Sequence, residues 1–145
     1  MNSTDDGLNP LAGSKPDSYG SLLLVEDEAL IRMSLERAFI DAGYTVITAS
    51  NGEAAIKQLD RADSNLIGLI TDIRLGDGAN GWDVGRHARK LNPTFSIVYI
   101  TGDSAHAWAL QGVHNSILVT KPFAETAVIA AMSNLLAATS NKHNG

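Results

Sequence analysis

Cysteine is absent from all 145 residues. That removes disulfides, a thiolate zinc site and a cysteine nucleophile together. Long apolar runs are missing too. The longest, at 22–25 and 127–132, fall far short of the roughly 20 residues that a membrane-spanning helix needs. The opening Met-Asn-Ser-Thr-Asp-Asp-Gly lacks the basic start and apolar core of a signal peptide. There is no Lys/Arg cluster. With 11 basic and 16 acidic residues the chain carries a net charge of −5, which suits a polyanionic partner poorly. No Gly-Lys-Ser/Thr occurs, so a P-loop is excluded. These absences lead to the expectation of a soluble, cytoplasmic protein with no membrane and no direct nucleic-acid contact. What remains is ordinary: 44% hydrophobic and 19% charged residues give enough apolar surface for one domain rather than a disordered chain.

Residues 1–20 hold Asn, Ser, Asp, Gly and two of the four prolines, with no apolar periodicity, and read as a flexible N-terminal tail. Residues 140–145 read as a short C-terminal tail, leaving a domain at 21–139. Within it, apolar runs alternate with helical patterns. Strands are expected at 21–25, 44–49, 66–71, 95–100 and 117–119. A helix after the first strand carries Ile31, Leu35, Ala38, Phe39 and Ala42 on one face, and Gly43 stops it. Ser50-Asn-Gly-Glu53 fits a capping box for a second helix reaching about residue 62. Helices are also expected at 82–91 and, briefly, at 104–111. The last carries Val128, Ala131, Met132, Leu135 and Leu136. Five strands alternating with five helices imply an α/β fold whose parallel sheet is covered on both faces. Ligands of such sheets bind beyond the C-terminal strand ends.

Chemistry-bearing residues sit at those ends. Glu26, Asp27 and Glu28 follow the first strand, and Thr71 and Asp72 close the third. The fourth runs into Thr101 and Gly102, the fifth into Thr120, Lys121 and Pro122. With strands 1 and 3 adjacent, Glu26, Asp27 and Asp72 converge. Three close carboxylates either hold a proton or hold a cation, and hard oxygen ligands with room for water favour Mg²⁺. A lysine and a hydroxyl opposite suit phosphoryl oxygens. Taken alone, Asp27 reads equally as a helix cap.

Leu-Leu-Val-Glu-Asp-Glu (23–28), Ile-Thr-Asp-Ile-Arg-Leu (70–75), Tyr-Ile-Thr-Gly (99–102) and Val-Thr-Lys-Pro-Phe (119–123) resemble the receiver domain of two-component response regulators. The resemblance covers roughly residues 20–139, with all four motifs in order. It implies a flavodoxin-like doubly wound sheet of strand order 2-1-3-4-5. It implies that Asp72 accepts a phosphoryl group from the phosphohistidine of a sensor histidine kinase or phosphotransfer protein. Asp27, Asp72 and the backbone carbonyl of Arg74 would bind Mg²⁺, with Mn²⁺ as a substitute, and Glu26 would act mainly through a bound water. Lys121 and Thr101 would bind phosphoryl oxygens, and Lys121–Pro122 would be a cis peptide. Such a domain is no enzyme in the usual sense: it promotes its own Mg²⁺-dependent phosphorylation and dephosphorylation. A downstream protein would read the face formed by helix 4, strand 5 and helix 5. Read as complete, the chain would be a stand-alone receiver; a piece of a larger regulator or hybrid kinase is the other reading.

Three departures stand out. The position three before Lys121, often Tyr or Phe in the family, is Leu118; Tyr99 is the candidate replacement for that switch residue. The Gly-rich stretch 75–81 lacks the Pro often found there. Arg74 and Asp103 flank the site and are expected to form an ion pair over it. The competing reading is a receiver-like interaction module that works without phosphorylation. A flavin-binding relative of the fold would need a phosphate cradle after strand 1, where Glu-Asp-Glu repels phosphate. A haloacid-dehalogenase-like phosphatase would want an acid where Arg74 stands. The four histidines show no ligand spacing. Trp82 and Trp108 read as core or interface anchors, and Asp83, Arg86, Arg89 and Lys90 as a solvated helix face.

Overall fold

In the computed structural model, residues 20–61, 65–102 and 105–144 are described. The elements in chain order are β1 (Ser21–Val25), α1 (Ala29–Asp41), β2 (Thr45–Ala49), α2 (Gly52–Asp60), β3 (Leu66–Asp72), α3 (Gly81–Leu91), β4 (Ser96–Thr101), α4 (Ala105–Gln111), β5 (Ile117–Thr120) and α5 (Glu125–Asn144). The strands form one parallel sheet of order β2-β1-β3-β4-β5, the order the resemblance implied. Apart from Gly20, the residues assigned to the N-terminal tail lie outside the described ones. α5 continues to Asn144, past residue 139 where the short tail was placed: nothing between 140 and 144 breaks a helix, and extension of a formed helix needs only one more turn bond per residue.

The sheet buries both faces. Leu22 and Leu24 point with Ile70, Val98 and Ile100 into a core closed by Leu35 and Phe39 of α1 and Val128 and Met132 of α5. Leu23, Val25, Leu69, Ile97 and Tyr99 point the other way, against Ala55 and Leu59 of α2 and Trp82, Val84 and Ala88 of α3. Alternate residues of one strand thus feed two cores, which is why β1 and β4 read as unbroken apolar runs.

Helix starts differ from expectation in two places. Asn51, not Ser50, caps α2, its side chain accepting the Ala54 N–H at 2.8 Å. Glu53 therefore reaches outward instead of closing a capping box. Glu28 is the N-cap of α1 and makes no side-chain cap, so Asp27 is not spent on capping. α3 has the full reciprocal box, Asn80 with Asp83. The face assigned to solvent is only partly so. Arg89 is half-buried and donates to the carbonyls of Phe95 (2.6 Å), His114 and Asn115 (3.1 Å), and Arg86 to that of Gln111 (3.3 Å). The bonds to Gln111, His114 and Asn115 tie α3 to the end of α4 and the connection to β5, and burial lowers the Arg89 pKa.

Candidate functional site

At the C-terminal strand ends lies a cleft of about 420 Å³ lined by Asp27, Glu28, Asp72, Arg74, Thr101, Gly102 and Lys121. β1 delivers Glu26 and Asp27, and the β1–β3 register places Val25 beside Thr71, so the acids on both strands emerge together. Glu26, Asp27 and Asp72 each offer a carboxylate oxygen within 4.8 Å of the others. Asp27 is exposed, Asp72 is 6% exposed and Glu26 is wholly buried. Lys121 reaches in from β5. Its Nζ donates to Asp72 Oδ2 at 3.1 Å and lies 3.7 Å from Glu26 Oε1 and 3.9 Å from Glu28 Oε1. Burial draws the Lys121 pKa down. The Asp72 hydrogen bond, with the charges of Asp72, Glu26 and Glu28, outweighs that, and the net shift is upward.

Glu26 is the strained member. Burial, then the Asp72 charge and the Asp27 side chain, push its pKa up to about 7 against the pull of the Glu28 N–H and Lys121. Its Oε2 accepts the Glu28 N–H at 3.1 Å, and its backbone is held by Ala49 and by the Arg32 guanidinium at 2.8 Å. Its Oε1 is buried with no hydrogen-bond partner. An orphaned carboxylate oxygen beside two further hard oxygen donors fits a small divalent cation or its water shell.

The rest of the frame is backbone. Thr71 Oγ1 donates to the Asp72 carbonyl (2.8 Å), Ile73 N–H to Ile100 O (3.0 Å) and Lys121 N–H to Thr101 O (2.7 Å). The Lys121–Pro122 peptide is cis. A Cβ at Gly81 would stand 2.2 Å from the Asp72 carbonyl oxygen, so only glycine lets α3 start directly against the aspartate. Thr101 is buried at the cleft wall. Asp103 lies outside the described residues, and with it the expected Arg74–Asp103 pair. Sequence reasoning missed Glu28 as a third acid within reach of Lys121, and Arg32, which nothing in the spacing betrays.

The two candidate switch residues are neighbours, Tyr99 pairing with Leu118 across β4 and β5. Tyr99 is fully buried, its ring 4.7 Å from that of Trp82 and its hydroxyl accepting the Val113 N–H at 3.3 Å. Leu118 is half-buried against the same core. Trp108 donates to Ser116 Oγ at 3.0 Å. His87 meets Asp60 at 2.6 Å. Among the described residues the acidic trio is the one group with metal-binding geometry, and no helix is long and apolar enough to cross a membrane.

A family model described as the response regulator receiver domain matches residues 22–133. The crystal structure of a response regulator receiver protein from Sinorhizobium medicae superposes with a TM-score of 0.79 at 40% identity, covering 82% of this chain and 95% of that one. The response regulator receiver protein CpdR of Brucella abortus is 35% identical over 86 residues, 59% of this chain and 69% of CpdR. The alginate biosynthesis transcriptional regulatory protein AlgB of Pseudomonas aeruginosa is 37% identical over 89 residues, 61% of this chain. That match spans only 19% of AlgB's own length.

Proposed function

The chain belongs to the response regulator receiver domain family, and on that premise we propose that it is a phosphoacceptor switch with Asp72 as the acceptor. The observation that carries this reading is the Lys121–Asp72 contact at 3.1 Å inside a cleft whose three close carboxylates could hold a cation. A carboxylate oxygen of Asp72 attacks the phosphorus of a partner's phosphohistidine. The P–O bond forms as the P–N bond breaks, and its electron pair returns to the imidazole nitrogen. The carboxylate is a weak nucleophile, which a loose, metaphosphate-like transition state tolerates. Asp27, Asp72 and the Arg74 carbonyl would hold Mg²⁺, with Glu26 behind them. The ion, when bound, neutralises charge between Asp72 and the incoming phosphoryl oxygens. Lys121 then moves from Asp72 to a phosphoryl oxygen, and Thr101 donates to another. The reading makes the domain a signalling element that promotes its own phosphorylation and dephosphorylation, not an enzyme acting on other substrates.

Intact mass after incubation with Mg²⁺ and acetyl phosphate tests it. The wild type is expected to gain about one phosphoryl mass and Asp72→Asn none. No gain in the wild type, under conditions that phosphorylate a control receiver, sinks the small-donor form of the proposal.

The donor protein must cover the rim of this cleft. Lys121 also lines an apolar groove with Leu30, Ile31, Leu35, Pro122 and Phe123, and Leu30 and Met33 of α1 are 82% and 61% exposed. We assign this rim to the phosphohistidine partner, and Leu110 of α4, 87% exposed, to the downstream face with β5 and α5. Leu30→Asp is expected to slow transfer from a cognate phosphodonor protein at least tenfold while leaving labelling by acetyl phosphate unchanged. Equal losses with both donors would refute the assignment.

The second reading, an interaction module independent of phosphorylation, rests on Leu118 standing where the family often has an aromatic. It predicts that Asp72→Asn still binds the downstream partner with unaltered affinity.

A further inference from the structure

The stretch from Asp72 to α3 is held by a helix that contributes nothing to the cleft itself. Glu53, in the first turn of α2, projects away from its own helix. Its Oε2 accepts the Ala79 N–H at 2.7 Å, across 26 residues of chain. Two glycines permit the contact. A Cβ at Gly52 would lie 2.1 Å from the Ala79 carbonyl oxygen, and one at Gly78, where φ is +88°, would lie 2.2 Å from Glu53 Oε2. The loop therefore docks backbone against backbone on the N-terminal turn of α2, with the Glu53 carboxylate as a charged anchor there. Two residues beyond Ala79, Gly81 presses on the Asp72 carbonyl, and its N–H bonds to Ile73 O at 2.8 Å. A short, continuous chain of contacts thus runs from Glu53 through Ala79 and Gly81 to Asp72 and the peptide that precedes Arg74.

We infer that Glu53 is a positioning residue for the aspartate cleft: by fixing Ala79 it sets where the Asp72 carboxylate and the Arg74 carbonyl stand, and so how well they hold a divalent cation. The inference rests on the phosphoacceptor reading above and adds to it a dependence on α2. The physical basis is that oxygen donors serve a small cation only in a narrow geometry, and that outer groups which fix the donors affect affinity strongly, typically by 10–100-fold where they touch a ligand directly. Glu53 acts through two more links of backbone, so an effect of about 3–10-fold is expected. The exposed position of Glu53 also means that its loss leaves no buried group unpaired on its own side.

The test is Mg²⁺ binding by the full chain, followed by the amide resonances of residues 73–75 as Mg²⁺ is titrated. Glu53→Ala is expected to raise the Mg²⁺ dissociation constant about 3–10-fold. Glu53→Gln, which keeps an acceptor oxygen at the same reach, is expected to bind within about twofold of the wild type. Gly78→Ala, whose Cβ would collide with the Glu53 carboxylate at a positive φ, is expected to weaken binding as Glu53→Ala does. An unchanged dissociation constant in Glu53→Ala overturns the inference. So does a loss in Glu53→Gln as large as in Glu53→Ala, because the effect is then charge and not position. Failure of the underlying reading looks different: the wild type itself shows no saturable Mg²⁺ response.

Discussion

Without divalent cation, the protein is expected to lose stability as pH rises from about 4.5 to about 7, and Glu26→Gln to abolish that loss. Glu26 is wholly buried, one of its oxygens has no hydrogen-bond partner, and its pKa stands near 7 against an ordinary 4.5. Below about 4.5 the group is neutral in both folded and unfolded chains and costs nothing. As pH climbs, the unfolded chain releases its proton first, so ionisation favours unfolding until the folded group titrates too. The gap corresponds to a penalty on the order of 3 kcal/mol above pH 7. That is a large part of the 5–15 kcal/mol typical of a domain. Urea midpoints measured in EDTA across this range, wild type against Glu26→Gln, isolate the group from other titrations. The variant should be the more stable protein at pH 8, and saturating Mg²⁺ should narrow the difference. Parallel curves for the two proteins would show that Glu26 is not the source.

Gly85→Ala is expected to destabilise the protein by about 1–3 kcal/mol, the usual range for overpacking a filled core. In an exposed helix the same change would stabilise by about 1 kcal/mol. Here the new methyl would sit 2.2 Å from the Tyr99 hydroxyl and 2.9 Å from the ring carbon that bears it. Tyr99 cannot swing away, because Trp82 lies against its ring and the Val113 N–H holds its hydroxyl. Tyr99→Phe deletes the colliding oxygen and the bond to Val113, at a cost of about 1 kcal/mol by itself. The double variant should therefore be more stable than Gly85→Ala alone, though still below wild type because the 2.9 Å contact remains. Simple additivity in a denaturation cycle would refute the geometry.

The sequence made the sheet legible because its three central strands are buried on both faces and read as nearly continuous apolar runs. It made the acidic cleft legible because the residues that line it gather at the strand ends: Asp27 follows β1, Asp72 closes β3 and Lys121 follows β5. Contacts that depend on where helices land were not legible. The reciprocal cap was expected at Ser50 with Glu53, yet Asn51 took the cap and freed Glu53 for Ala79, a partner 26 residues away. Arg89 looked solvated because its neighbours in sequence are charged, and only the fold shows three carbonyls converging on it. Leu118 reads as a missing aromatic, but it neighbours Tyr99 from the adjacent strand, whose ring already fills part of that core.

The double coverage of β3 and β4 also governs how far a change of charge in the cleft can travel. All six residues of β4 and six of the seven in β3 are buried, and interiors packed to crystal density yield little. Those strands act as an anvil: new charge at Asp72 cannot be relaxed by bending the sheet beneath it. Displacement is left to what rests on the anvil's upper edge, the Lys121 side chain and the loop from Arg74 to Asn80. These two lead directly to β5 and α3, so a displacement there would reach the outer elements without deforming the two central strands.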